Sequence, residues 1–164
     1  MGKLVFLLCI FFGVKYYAKT LESPLRKDES SIDRTISRLE EYKIKFPKVV
    51  LAQMILETGT FQSKIFRENH NPFGMKHNKR GFSVGIKNGH ANYPHTSHKG
   101  FCTWECYDFA FMDYRNWQDK YLPDTVQTEE QYLYYLDHLP GGLRYAEDPT
   151  YTTKLRNILN IING

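Results

Sequence analysis

Apolar residues at helical spacing mark most of this chain. Ile32, Ile36, Leu39 and Tyr42 recur three or four residues apart within an otherwise polar stretch, which predicts a helix over 30–45. The run 49–56 is apolar apart from Gln53; Pro47 suits the first turn of a second helix and Gly59 the position just past its end. The texture then changes. Gly81, Gly85, Gly89 and Gly100 punctuate short β-like pieces at 82–84 and 101–104, and Asn88-Gly89 is a hairpin turn signal. Helical spacing resumes over 107–121, with Phe111, Tyr114 and Trp117 on one stripe. Thr128 and Gln131 form a capping box for a helix running to about Leu139. Pro140-Gly141-Gly142 interrupts the chain, and Asp148-Pro149 precedes a last helix whose apolar face is Leu155, Ile158, Leu159 and Ile162. The predicted class is α+β and mainly helical, with one small β-hairpin lobe.

The N-terminus reads differently. Lys3 precedes an unbroken apolar stretch at 4–14, too short to span a bilayer comfortably. A secretory signal peptide over 1–18 is the expectation, with a polar tether at 19–29 and the folded domain at 30–164. An uncleaved anchor is the alternative. Without Lys3 and Lys15 the formal charge of +4 falls to about +2, not the balance of a nucleic-acid binder. The distribution is less even. No Asp or Glu occurs from Asn69 through Trp104, where Lys76, Lys79, Arg80, Lys87 and Lys99 sit with five of the six histidines. Such a face suits an anionic polymer such as a bacterial cell wall, or is simply solvated.

Against this background one carboxylate stands out. Glu57 ends the apolar run, and Val50, Gln53, Met54 and Glu57 share one stripe of the predicted helix. Burial disfavours the charged carboxylate, and the negative end of the helix dipole opposes it as well. Both raise its pKa, as a general acid requires. The plain alternative is a C-terminal glutamate turned to solvent.

The segments around it carry a resemblance. Ala52-Gln53-Met54-Ile55-Leu56-Glu57-Thr58-Gly59, followed by Asn71-Pro72-Phe73-Gly74-Met75-Lys76, resembles the glucosaminidase domain of glycoside hydrolase family 73. There a helix ends in Glu-x-Gly and an Asn-x-Phe-Gly-x-Lys segment follows. The stretch 101–117, with Asp113-Tyr114 and Trp117, and Tyr145-Ala146-Glu147-Asp148-Pro149-Thr150-Tyr151 resemble further family segments in the same order. The resemblance implies a lysozyme-like fold that cleaves β-1,4 bonds after N-acetylglucosamine in peptidoglycan, with Glu57 as general acid. It also implies that Tyr145 faces the acid across the cleft. Asn71, Phe73 and Gly74 fit a substrate floor, with Gly74 allowing close backbone approach or a positive φ. Trp104 and Tyr107 are weaker candidates for sugar stacking.

Two carboxyls normally share this chemistry, about 5 Å apart for retention and roughly 6.5–9.5 Å for inversion. The family's second carboxylate is sought on the hairpin, which here is acid-free. Glu68, Glu105 and Asp148 are the remaining candidates, although Asp148 also suits a helix cap and Glu105 a strand-to-helix corner. Substrate assistance by the N-acetyl group is the other route. Cys102 and Cys106 could form a disulfide or remain two buried thiols. The histidines show no compact metal-ligand spacing, so neither a metal nor another cofactor is expected. The favoured reading is an exported, monomeric peptidoglycan hydrolase without a stable protein partner. The alternatives are a cell-wall-binding or assembly protein with little turnover, and a lytic transglycosylase-type reaction.

Overall fold

The computed structural model describes residues 32–76, 95–96 and 100–164. The expected signal peptide and tether, the Asn88-Gly89 turn and the β-like piece at 82–84 lie outside the described residues, as do His77, His90 and His98. Among the described residues there are six helices and one two-stranded antiparallel pairing. They are α1 (Ile32–Glu41), α2 (Pro47–Thr58), α3 (Lys64–Asn69), β1 (His95–Thr96), β2 (Cys102–Thr103), α4 (Tyr107–Tyr121), α5 (Glu129–Asp137) and α6 (Tyr151–Ile162). His95 pairs with Thr103 and Thr96 with Cys102. This is the mainly helical α+β class expected of a lysozyme-like domain.

α2 is the axis of the domain. Val49 through Ile55 are all buried, so the helix is covered on every side rather than along one stripe. It packs against α1 and α6, and α6 packs in turn against α5. Pro47 occupies the first turn, where its missing N–H costs no hydrogen bond. The other end is closed by an unusual turn. Gly59, Thr60 and Phe61 all have left-handed φ, at 55°, 64° and 63°. For the two non-glycine residues this geometry costs energy, and local bonds offset it. The Thr60 N–H donates to the Ile55 carbonyl (3.0 Å), and the Phe61 N–H to the Thr58 hydroxyl oxygen (2.7 Å). The Phe61 ring is fully buried against Phe66, fastening the turn to the core. The helix therefore stops one residue after Glu57.

The short α3 is not evident in the hydrophobic pattern. Ser63 starts it by accepting the Phe66 N–H (3.1 Å). The capping box at Thr128 and Gln131 is present, and α4 occupies the expected span. Leu155 and Leu159 of α6 are buried, with Ile158 and Ile162 packed at the margin. Cys102 is buried, Cys106 is half-buried, and no disulfide joins them.

Candidate active site

Glu57 opens into a cleft of about 450 Å³ lined by Gly74, Met75, Lys76 and Phe101 on one side and Leu143, Arg144, Tyr145, Ala146 and Glu147 on the other. The first wall depends on Asn71. Its side-chain amide donates to the carbonyls of Met75 (2.8 Å) and Cys102 (3.1 Å), and its oxygen accepts the Met75 N–H (3.0 Å). Three bonds from one buried amide thus close the 71–75 turn and tie it to β2. The Cys102 N–H donates to the Met75 carbonyl (2.9 Å), and the Lys76 ammonium lies over the Phe101 ring.

Gly74 sits at the tip of that turn with φ 62°, against the acid. A Cβ built there would lie 2.5 Å from Glu57 Oε2 and 3.1 Å from its carboxyl carbon. Both reasons for a glycine, positive φ and close approach, hold at this position. What approaches Gly74 is the acid itself.

The second wall is the segment between α5 and α6. The Tyr145 N–H donates to the Leu136 carbonyl (2.8 Å), and its hydroxyl donates across the cleft floor to the Phe73 carbonyl (2.9 Å). Its ring lies edge-on to Trp117 and stacks on Tyr151. Tyr145 thus joins the two walls. The tyrosine whose hydroxyl acts on the Glu57 carboxyl is Tyr151, the first residue of α6.

Burial is the dominant influence on Glu57 and raises its pKa above the ordinary carboxyl value, opposed by the Tyr151 hydrogen bond and the nearby Lys76 ammonium. Burial likewise pushes the phenols of Tyr145 and Tyr151 well above their ordinary range, with the Glu57 charge adding to it. Both remain neutral hydroxyls at working pH.

Several predicted residues sit elsewhere. Phe73 is fully buried, stacked on Tyr114 with ring centroids 4.1 Å apart, so it cannot present a face to a sugar. Asn71 is buried and its amide is committed to the turn. Trp104 is 4% exposed and belongs to the core. These three shape the cleft from behind rather than forming its floor. Tyr107 donates its hydroxyl to the Phe66 carbonyl, away from the cleft lining. The candidate carboxylates fare similarly. Glu68 is exposed and paired with Lys64 on α3, and Glu105 is exposed at the corner before α4. Asp148 accepts from the backbone N–H and hydroxyl of Thr150 and pairs with Lys154, which hold its pKa down to about 2. It organises the entry to α6. None of the three lines the cleft. The carboxylate that does, besides Glu57, is Glu147, an exposed residue two positions after Tyr145. Its place in the Tyr145 segment was the available sequence signal.

Comparison with curated proteins and with solved structures returns no match. A family model does match, over residues 33–164, and its description is mannosyl-glycoprotein endo-β-N-acetylglucosaminidase. The matched span takes in all six helices except the first residue of α1, and the whole of the cleft. With Glu57, Gly74 and Tyr145 gathered at one cleft within that span, the chain belongs to the Glucosaminidase family of glycoside hydrolases.

Proposed function

We propose that this protein is an exported peptidoglycan hydrolase that cleaves the β-1,4 bond after N-acetylglucosamine, with Glu57 as general acid. The observation that carries this reading is a carboxyl in an open cleft whose burial favours the protonated form. In the first step the C1–oxygen bond breaks, its electrons stay with the leaving oxygen, and the Glu57 proton transfers to that oxygen. Water then bonds to C1 and gives up a proton. Glu147 is the carboxylate on the cleft rim that can receive it or stabilise the positive C1. Lys76 and Arg144 give the cleft mouth cationic groups suited to an anionic wall polymer. Export is supported by Lys3 and the apolar stretch at 4–14.

The test is incubation of the purified protein with peptidoglycan and mass spectrometry of the fragments. Reducing N-acetylglucosamine ends are expected. Anhydro-muramic ends would assign a transglycosylase reaction instead, and equal failure of wild type and Glu57→Gln to release fragments would leave a wall-binding protein. Glu147→Gln separates the two ways of completing the reaction. A loss of about 100-fold is expected for a base, whereas retention within about threefold points to the substrate's acetamido oxygen.

A further inference from the structure

A chain of hydrogen bonds crosses the core from α4 to Tyr151, beside Glu57, and every donor in it points the same way. It begins at Gln118, fully buried near the end of α4. The Gln118 amide bonds both polar groups of one backbone residue: its oxygen accepts the Lys45 N–H (2.8 Å) and its nitrogen donates to the Lys45 carbonyl (2.9 Å). That pairing fixes which end of the amide is which. The second N–H of Gln118 donates to the Tyr132 hydroxyl oxygen (3.1 Å). The single proton of Tyr132 is then directed at the Tyr114 oxygen, 2.7 Å away. Tyr114 donates to the Gln53 oxygen (2.6 Å), so the Gln53 nitrogen is turned to the Tyr151 oxygen (3.2 Å). The Tyr151 oxygen is thus an acceptor toward Gln53, which leaves its proton for the neighbouring Glu57 carboxyl, the charge that acts on this hydroxyl most strongly. These five side chains belong to α2, α4, α5 and α6, and all are buried.

A buried polar network of this extent is costly unless every member is satisfied, and an apolar core would be simpler. Its polarity has a specific consequence at Glu57. A carbonyl oxygen is a better acceptor than a carboxyl hydroxyl, so a Tyr151 proton aimed at Glu57 favours the acidic proton on the oxygen farther from Tyr151. We infer that the chain Gln118–Tyr132–Tyr114–Gln53–Tyr151 is a one-way relay that orients the Glu57 carboxyl and assigns its proton to one oxygen, with Tyr151 and Gln53 as positioning residues. This rests on the reading of Glu57 as the general acid. The other groups around the carboxyl act on it in different ways or not at all. Lys76 acts on it through charge, Tyr145 spends its hydroxyl on the Phe73 carbonyl, and Arg144 and Glu147 line the outer cleft.

The relay is tested by following the Glu57 carboxyl carbon by NMR in glutamate-labelled protein, its resonance assigned with Glu57→Gln, beside the pH dependence of kcat/KM. Tyr151→Phe removes the last donor, and the Glu57 midpoint should rise by about one pH unit. Tyr145→Phe removes a neighbouring hydroxyl that does not reach Glu57, and the midpoint should stay within about 0.3 unit. Gln53→Met should raise it by a smaller amount, and only while Tyr151 is present. In the double variant it should add nothing to Tyr151→Phe, because groups in series act through the last one. An unmoved midpoint in Tyr151→Phe overturns the relay, as does an equal effect of Gln53→Met in both backgrounds. Should Gln53→Met not fold, the contrast between the two tyrosine variants still decides. A midpoint that rises while the alkaline limb of kcat/KM stays fixed leaves the relay standing and removes Glu57 from the role of acid.

Discussion

Replacing Gly74 by alanine tests whether the turn is built around the acid. The added Cβ would stand 2.5 Å from Glu57 Oε2, where ordinary contact begins at 3.4 Å. The carboxyl or the turn must therefore move by about 0.9 Å. The turn is held by the three Asn71 bonds and the carboxyl is hemmed in by its burial beside Tyr151, so neither yields freely. A displacement near 1 Å costs on the order of 100-fold in rate, about 2.7 kcal/mol in the barrier. Left-handed φ at position 74 adds a separate folding cost of about 1–2 kcal/mol. Gly59 is the internal control: its φ is 55°, yet a Cβ there would meet nothing within 4 Å. Urea denaturation should find Gly59→Ala destabilised by the backbone cost alone and Gly74→Ala by at least as much. Reducing-end release from peptidoglycan should fall about 100-fold in kcat for Gly74→Ala alone. Equal activity losses in the two variants, or a Gly74→Ala enzyme within about threefold of wild type, would refute the crowding argument.

Other outcomes follow from the same geometry. Asn71→Leu removes three hydrogen bonds from the turn, although the Met75 carbonyl keeps the Cys102 N–H, and should lower unfolding stability by about 2 kcal/mol in urea; a loss below about 1 kcal/mol contradicts the role given to this amide. Phe73→Ala should cost about 3–5 kcal/mol of stability, whereas a sugar-stacking residue would raise KM and leave stability alone. Glu57→Gln should be more thermally stable than wild type above neutral pH. Burial raises the folded pKa of Glu57 above its unfolded value, so stability is lost as pH rises through the folded pKa. The two proteins should converge below about pH 4, and a wild type as stable as the variant at pH 8 would be inconsistent with a buried acid.

The sequence pattern located helices where a residue's own chemistry sets the boundary. Pro47 and Gly59 bracket α2, and the Thr128 capping box opens α5. It placed Glu57 for the same reason, because an acid at the end of an apolar run is a local anomaly. It misjudged Asn71 and Phe73, since an amide that fits a sugar also fits three backbone groups, and an aromatic ring fits a core as readily as a pyranose. The short α3, with a single buried residue, leaves no periodicity to detect. The relay lay beyond reach altogether. Gln53 meets Tyr151 across 98 positions and Tyr114 across 61, and no one-dimensional spacing reports such contacts. Tyr145 drew attention through its segment, while the same segment's Tyr151 holds the acid.

The central claim is that Glu57 delivers a proton to the departing sugar oxygen, and the dependence on leaving group tests it most directly. Wild type and Glu57→Gln should be compared on a chitooligosaccharide and on its 2,4-dinitrophenyl glycoside, whose leaving group departs without a proton. The account predicts a loss on the order of 1,000-fold on the natural linkage and less than about tenfold in bond cleavage on the aryl glycoside. The same loss on both substrates, or none on either, would contradict it.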